Sequence, residues 1–521
     1  MRRYVLPILI VSYSISFGQT NIPAGSVSGT WTMAGSPYRV HGDITVYTDS
    51  SLLMEPGITV EFQGIYLLTV DGILEAIGTE IDSICFIPSG SFWRGIYFNN
   101  DNRTSQMVYC KVLNGAEGLC CINSSPVISN CSINGGTYNG ITVLGTSNPE
   151  INGCNISHNL RGIYWESSSD AIITDCIIDN NSLHAPGAGA YCYYGNPTFI
   201  NCIIRDNTSN GPYSGQGGGV CLVSCSAVLI DCILNGNSSF YGFSDLGGGA
   251  ISLNNSSANI SRCVIFNNYA ALNGGAIGAG YNSHLDIDHC TIDHNATDGG
   301  SGIYIGQGCG MDITNSIISN NQSNYGIENQ GTVAVNYTDF YNNQSGNITG
   351  NVPPDFEVLS SINGNGDSCD VYYNLFFDPV FVDPNNGDFH LLANSPCIDA
   401  GDPNSAYDPD STVADMGCFY FDQLTGIKEK ANVPSAFILN QNYPNPFNAQ
   451  TTIKFILPEP HSVKLTIYDL LGRQVETLLD EYRQAGIHIV NFDSSDLPSG
   501  VYFYRLQAGE IIETKRMLLL K

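Results

Sequence analysis

The stretch "ISRCVIFNN" (residues 260–268) decides the fold, because near-copies of it recur along the chain. They include "INCIIRDN" (200–207), "IDCILNGN" (230–237), "IDHCTIDHN" (287–295) and "ITNSIISNN" (313–321). Aligned on the cysteine, the copies form a column of Cys110, Cys131, Cys154, Cys176, Cys202, Cys232, Cys263 and Cys290, continued by Ser316 and Thr338. Two positions on stand Val112, Ile133, Ile156, Ile178, Ile204, Leu234, Ile265, Ile292, Ile318 and Phe340. Five positions on, from the third copy, stand Asn159, Asn181, Asn207, Asn237, Asn268, Asn295, Asn321 and Asn343. The copies lie 21 to 31 residues apart. A period in that range marks a solenoid, the units being too short for propeller blades.

Each copy reads as one coil whose short strands pair in parallel with the coils above and below, about 4.8 Å apart. The period of two puts the cysteine and the following apolar residue on one inward face. Asparagine suits the left-handed turn of a corner, and its amide can bond its counterpart in the next coil. A second strand follows a glycine in each coil, as in "GITV" (140–143), "GIYW" (162–165) and "GIYI" (302–305). The expected architecture is all-β: a right-handed parallel β-helix followed by a small antiparallel β-sandwich.

Composition agrees. The 521 residues include 56 glycines, only 13% are charged, and no long stretch has helical periodicity. Acidic residues outnumber Lys and Arg 48 to 19, a net charge of −29. That field repels phosphate backbones, so nucleic acid is not an expected partner. The opening "MRRYVLPILIVSYSISFGQT" pairs Arg2 and Arg3 with an apolar run of signal-peptide length, and Ser16 and Gly18 precede a cut before Gln19. The run is shorter than the ~20 residues a membrane span needs. An exported, monomeric protein without a transmembrane span in its mature form is expected.

These repeats resemble the right-handed β-helix proteins of the pectate-lyase-like superfamily, and "GGGAISLNNSSANISRCVIFNN" (247–268) is a typical exported repeat of that kind. The expected organisation is a signal peptide over 1–18, an N-terminal cap and first coils over 19–105, and β-helix repeats over 106–345. A closing segment over 346–422 and a linker over 423–434 follow. Residues 435–521 resemble the type A sorting domain of type IX secretion, carried by "NYPNPFN" (442–448), "IYDLLGR" (467–473), "SGVYFYRL" (499–506) and the terminal "KRMLLLK". The resemblance implies handling by that machinery and its processing peptidase, on a route through the periplasm to the outer-membrane surface or medium. The residues matching it are Asn445, Pro446, Phe447, Gly472, Arg473, Gly500 and Lys515.

Eighteen cysteines in an exported chain invite a disulfide framework. One inward cysteine per coil instead reads as a small buried hydrophobe. Ser316 and Thr338 fill the same slot, so size is expected to matter more than sulfur. A pair among Cys369, Cys397 and Cys418, outside the column, is open to bridging. In the closing segment Asp399, Asp402, Asp408, Asp410 and Asp415 crowd onto Pro/Gly/Asn turns. Such oxygens are a candidate calcium site, and Asx-turn caps are the other reading. No other cofactor is expected.

Function is expected where coils lengthen, as in "NSLHAPGAGA" (181–190) and "NSSFYGFSDLGGGA" (237–250). These loops carry His184, Tyr213, Phe240, Tyr241, Phe243 and Asp245. Two residues past each strand glycine come Tyr97, Thr142, Tyr164, Tyr191, Ile251, Ile277 and Tyr304. An outward row of this kind, with Tyr164, Tyr191, Tyr213, Tyr241, Phe243 and Tyr304 as ligand-binding candidates, suits an extended chain such as a polysaccharide. For chemistry, His158, Asp179, Arg205 and Asp206 fall on three successive coils, where a base and a carboxylate clamp could assemble. A structural Asp179–Arg205 ion pair is the alternative. The leading expectation is a non-catalytic exported binding protein. A lyase or glycoside hydrolase acting on uronate glycans comes next, then a surface stalk or adhesin.

Overall fold

The computed structural model describes residues 19–99, 105–167, 170–211, 217–240, 247–322 and 324–423. Towards the C-terminus it describes 438–439, 442, 445, 447–457, 461–470, 472–483, 486–494, 497–509 and 511–519. The chain divides into two compact units, residues 1–421 and 422–521.

The first unit is a right-handed parallel β-solenoid. Its first face is a 14-stranded sheet running from Thr20–Ile22 to Asp339–Tyr341. Every pairing in it is parallel, and the apolar column predicted from sequence is in register rung by rung. Val112 lies opposite Ile133, then Ile156, Ile178, Ile204, Leu234, Ile265, Ile292, Ile318 and Phe340 follow. All are buried. The glycine-led strands, such as Arg161–Ser167 and Ala190–Gly195, stack as a second face. A third carries Ile172–Thr174, Ser257–Ser261, His284–Asp288 and Gly310–Thr314. Stacking begins at Thr20, where Thr20–Ile22 pairs with Tyr38–Val40.

The asparagine column is a hydrogen-bonded ladder. The Asn237 amide nitrogen Nδ2 donates to Ile204 O (2.8 Å) and to Asn268 Oδ1 (3.0 Å), while Asn237 Oδ1 accepts from Asn207 N (3.2 Å) and Asn207 Nδ2 (3.0 Å). The same bonds link Asn159 to Asn181, Asn181 to Asn207, Asn268 to Asn295, and Asn295 to Asn321. One expectation is corrected. The left-handed backbone falls on the residue before each ladder Asn, at His158, Asn180, Asp206, Gly236, Asn267, His294, Asn320 and Asn342, with φ between 51° and 65°. The ladder Asn must face inward to bond up and down the stack, so its neighbour makes the bend.

The cysteine column is likewise polar, which corrects the reading by size. The Cys232 backbone N–H donates to Cys263 Sγ (3.4 Å), and the Cys263 thiol donates to Ser261 O (3.3 Å). Ser316 repeats both bonds with its hydroxyl, accepting from Cys290 N (3.1 Å) and donating to Thr314 O (2.7 Å). What the slot selects is a small side chain whose γ atom both accepts and donates. All eighteen cysteines are unbridged. That includes Cys397, beside Ser395, and Cys418, beside Cys263 and Arg262, which face different neighbours. Burial pushes thiols such as Cys263 up, so they stay protonated.

The stack ends on an aromatic plug, Phe356 and Phe376 packing around Phe340 at ring distances of 5.3 and 6.2 Å. Asn374 takes the next place in the cysteine column by accepting from Thr338 N (3.0 Å). The closing segment then folds back along the first face instead of over the end. Phe389 meets Phe266 edge-on, Cys418 N donates to Thr291 Oγ1, and Ile317 is buried among Leu375, Leu391, Cys397 and Met416.

The second unit has a three-stranded antiparallel sheet (Ile438–Leu439, Gln450–Leu457, Gly486–Asp493) and a four-stranded one (Gln474–Arg483, His461–Tyr468, Gly500–Ala508, Ile511–Leu519). Its core gathers Phe447, Phe455, Leu465, Phe492, Tyr504 and Met517.

Candidate functional site

The outward column of the second face runs Tyr97, Cys120, Thr142, Tyr164, Tyr191, Cys221, Ser252, Gly278 and Tyr304. Counting two past the glycine therefore slips by one at Ile251 and Ile277, which point into the core. In those coils Ala250 and Ala276 hold the rung position that Gly219 holds below them, as the bonds Val220 N to Ala250 O (2.7 Å) and Ala250 N to Ala276 O (3.0 Å) show. Tyr304 is 4% exposed, so it offers no ring to solvent. Tyr213, Tyr241 and Phe243 lie outside the described residues.

Tyr164 and Tyr191 remain half-exposed and meet across adjacent rungs. Their rings are parallel within 5°, with centroids 5.8 Å apart. Sequence reasoning missed their partner, Arg161. Its guanidinium lies 5.2 Å from the Tyr164 centroid and 5.1 Å from that of Tyr191, within cation–π range. The guanidinium is held by bonds to Gly187 O (3.1 Å) and Pro186 O (2.9 Å), on the lengthened loop. The signal was present: Arg161 stands three residues before Tyr164 in one strand, one of only 19 basic residues in an acidic chain. The Tyr164 hydroxyl donates to Glu166 Oε2 (2.6 Å). Burial, with Glu166 beside it, pushes Tyr164 up to about 12, and burial does the same for Tyr191. Both phenols are neutral hydrogen-bonding groups at physiological pH. Glu117, whose carboxyl burial pushes up, accepts from Thr142 (2.6 Å) and Asn139 (3.3 Å). Tyr193 and Tyr194 extend the aromatic area, 4.2 Å apart and tilted by 56°. The arrangement offers aromatic surface, one cation and fixed hydroxyl and carboxylate groups.

Of the catalytic candidates, Asp179 and Arg205 are register partners joined by a 3.3 Å ion pair. Asp206 is exposed at the next corner, its carboxyl pushed up by partial burial against the pull of Arg205. His158 is an exposed left-handed corner residue whose backbone N–H meets Asp179 O (3.3 Å). The structure thus joins Asp179 to Arg205 and gives the His158 ring no bond to either.

In the closing segment four of the five candidate calcium ligands accept from backbone N–H groups. Asp415 accepts from Asp399 N (2.7 Å) and Phe421 N (2.6 Å), Asp408 from Asp415 N (2.9 Å), Asp410 from Thr412 N (3.2 Å), and Asp402 from Asn404 N (2.9 Å). Burial pushes Asp408 up to about 6 and Asp415 to about 7.

The sorting residues shape turns and strand ends. Asn445 Oδ1 accepts from Leu518 N (2.8 Å), and Phe447 is buried with its N–H on Leu518 O (2.9 Å). Gly472 has φ +76°, and Arg473 clasps Asp469 at 2.7 Å. Gly500 pairs with Leu519 and Lys515 with Tyr504. Pro446 lies outside the described residues. Among the described residues no helix is long and apolar enough to cross a membrane.

Comparison with known proteins fits these two parts. Residues 63–219 match the model of the right handed beta helix region, and residues 441–520 that of the secretion system C-terminal sorting domain. No curated protein matches the chain. Among solved structures it is similar to the enzymatically active domain of tailspike protein 2 from bacteriophage CBA120, at 13% identity and a TM-score of 0.25, covering 96% of this chain and 72% of the other. It is also similar to the full-length tailspike protein 2 from Escherichia coli O157:H7 bacteriophage CAB120, at 12% identity and a TM-score of 0.21, covering 96% and 64%. The chain is a secreted or cell-surface protein built from a right-handed β-helix region and the C-terminal sorting domain of type IX secretion.

Proposed function

We propose that the solenoid binds an extended, uncharged polysaccharide along the outer side of its second face, around Arg161, Tyr164, Tyr191 and Tyr193. The observation that carries this reading is the stacked Tyr164–Tyr191 pair with Arg161 set 5.2 and 5.1 Å from its rings. Aromatic side chains give a ligand large contact area at low entropy cost, and neighbouring hydroxyls and carboxylates suit the hydroxyls of sugars. The half-exposed rings lie on a regular stack with a rise of about 4.8 Å, which suits a repeating polymer more than a compact ligand. A net charge of −29 disfavours a polyanion, so a neutral glycan is preferred over a uronate-rich one. Export places the protein where such polymers occur.

Affinity electrophoresis of the full chain in gels cast with neutral or uronate-containing polysaccharides tests this. Retardation by a neutral polymer is expected, weakened about tenfold by Tyr164→Ala together with Tyr191→Ala, as loss of stacked aromatic area implies. Unchanged thermal melting would show that the variant is folded. Retardation that survives both substitutions, or none by any neutral polymer, would overturn the reading.

A further inference from the structure

On the third face, away from the tyrosines, three side chains converge from two adjacent coils. His284 and Asp286 stand two residues apart on the strand His284–Asp288, so both point outward. Asp312 lies directly opposite Asp286 on the next rung. His284 Nε2 is 3.3 Å from Asp286 Oδ1 and 3.5 Å from Asp312 Oδ2, and one donor atom from each residue lies within 4.8 Å of the other two. Among the described residues no other His, Cys, Asp or Glu group converges in this way.

We infer that His284, Asp286 and Asp312 form a divalent transition-metal site. The distances suit coordination as well as they suit ion pairing. A charge-assisted N–H···O bond is about 2.7–2.9 Å long, shorter than either contact. A tetrahedral ion with ligands about 2.1 Å away sets its donors roughly 3.4 Å apart, which matches both. Like charges directly opposite in a sheet repel, yet Asp286 and Asp312 occupy that arrangement. The guanidinium lining their groove, that of Arg262, is already clasped by both oxygens of Asp231 at 2.7 and 3.1 Å. Asp288, in the same groove, is held by His289 (2.9 Å) and Asn315 (3.0 Å). The neighbouring coil also leaves room for the imidazole. His284 lies opposite Gly310, where a Cβ would stand 2.7 Å from Nδ1. Gly310 does not have a positive φ, so the ring's space, not backbone strain, accounts for glycine there. An imidazole with two carboxylates suits zinc-like first-row ions, whereas Ca²⁺ takes six to eight oxygens. All three side chains are about half exposed, so solvent can supply the remaining ligand.

Equilibrium dialysis of the full chain against Zn²⁺, with about a hundredfold excess of Ca²⁺ to occupy oxygen-only sites, tests the assignment. One bound equivalent is expected. His284→Ala, Asp312→Asn and Gly310→Val should each weaken it by more than the roughly tenfold cost of losing a supporting contact. Thermal melting without metal should not change, because these side chains lie at the surface. Co²⁺ in place of Zn²⁺ should give tetrahedral visible bands that His284→Ala abolishes. Absence of binding, displacement of zinc by calcium, or equal binding in all three variants would overturn the site, the last by showing diffuse attraction to an acidic surface.

Discussion

Two columns run through the same coils and solve the same problem with different chemistry. At one corner, Asn237 makes four side-chain bonds, three with the preceding coil and one with the next. At the other, Cys263 accepts one backbone N–H and gives its proton to a carbonyl. Both sites are fully buried. Corners interrupt the strand ladder, so backbone groups there need partners from side chains. The asparagine column supplies many strong bonds, while the cysteine column supplies few weak ones and fills space. Loss of a residue should therefore cost very different amounts at the two corners.

The largest effect is expected for Asn237→Leu. It strands the Asn207 N–H and the Ile204 carbonyl in an apolar interior, each costing about 1–3 kcal/mol. We expect a loss of about 3–5 kcal/mol in urea unfolding, with Asn207 and its neighbours losing hydrogen-exchange protection first. A loss below one kcal/mol would reduce the ladder to packing. Next comes Cys263→Ala, which removes both a γ atom and a hydrogen-bond partner, at about 1–2 kcal/mol. Cys263→Ser should cost less than Cys263→Ala in the same measurement, because a hydroxyl already works at Ser316. If serine proves worse than alanine, the slot selects apolar volume after all. The smallest effect is kinetic. Native protein treated with a maleimide should react first, and slowly, at Cys85, whose residue is partly exposed and whose thiol burial pushes up, and the column should react only after unfolding.

Both columns were legible because their residues repeat at fixed offsets within the coil. The first coils were harder to read, since Tyr38, Val60 and Phe86 continue the inner column with neither cysteine nor asparagine beside them. The second face was read to within one residue, failing where Ala250 and Ala276 take over a glycine's rung. Sites built across coils were the least legible. Asp286 and Asp312 are 26 residues apart, and coils vary in length, so only the observed register sets them side by side. Arg161 was overlooked for a related reason: its partners are a ring one rung away and loop carbonyls at 186 and 187. The return of the closing segment along the first face has no periodic signal at all.

The unbridged cysteines have a consequence for how this secreted chain matures. Eighteen reduced thiols entering an oxidising compartment could pair wrongly with one another or with other proteins. Nothing in the finished rod requires an oxidant, and a protonated, buried sulfur is a poor nucleophile. In an oxidising compartment such a chain gains from winding before its thiols react. Each coil that closes hides its own sulfur and offers the next one a template, so the hazard shrinks as the rod lengthens.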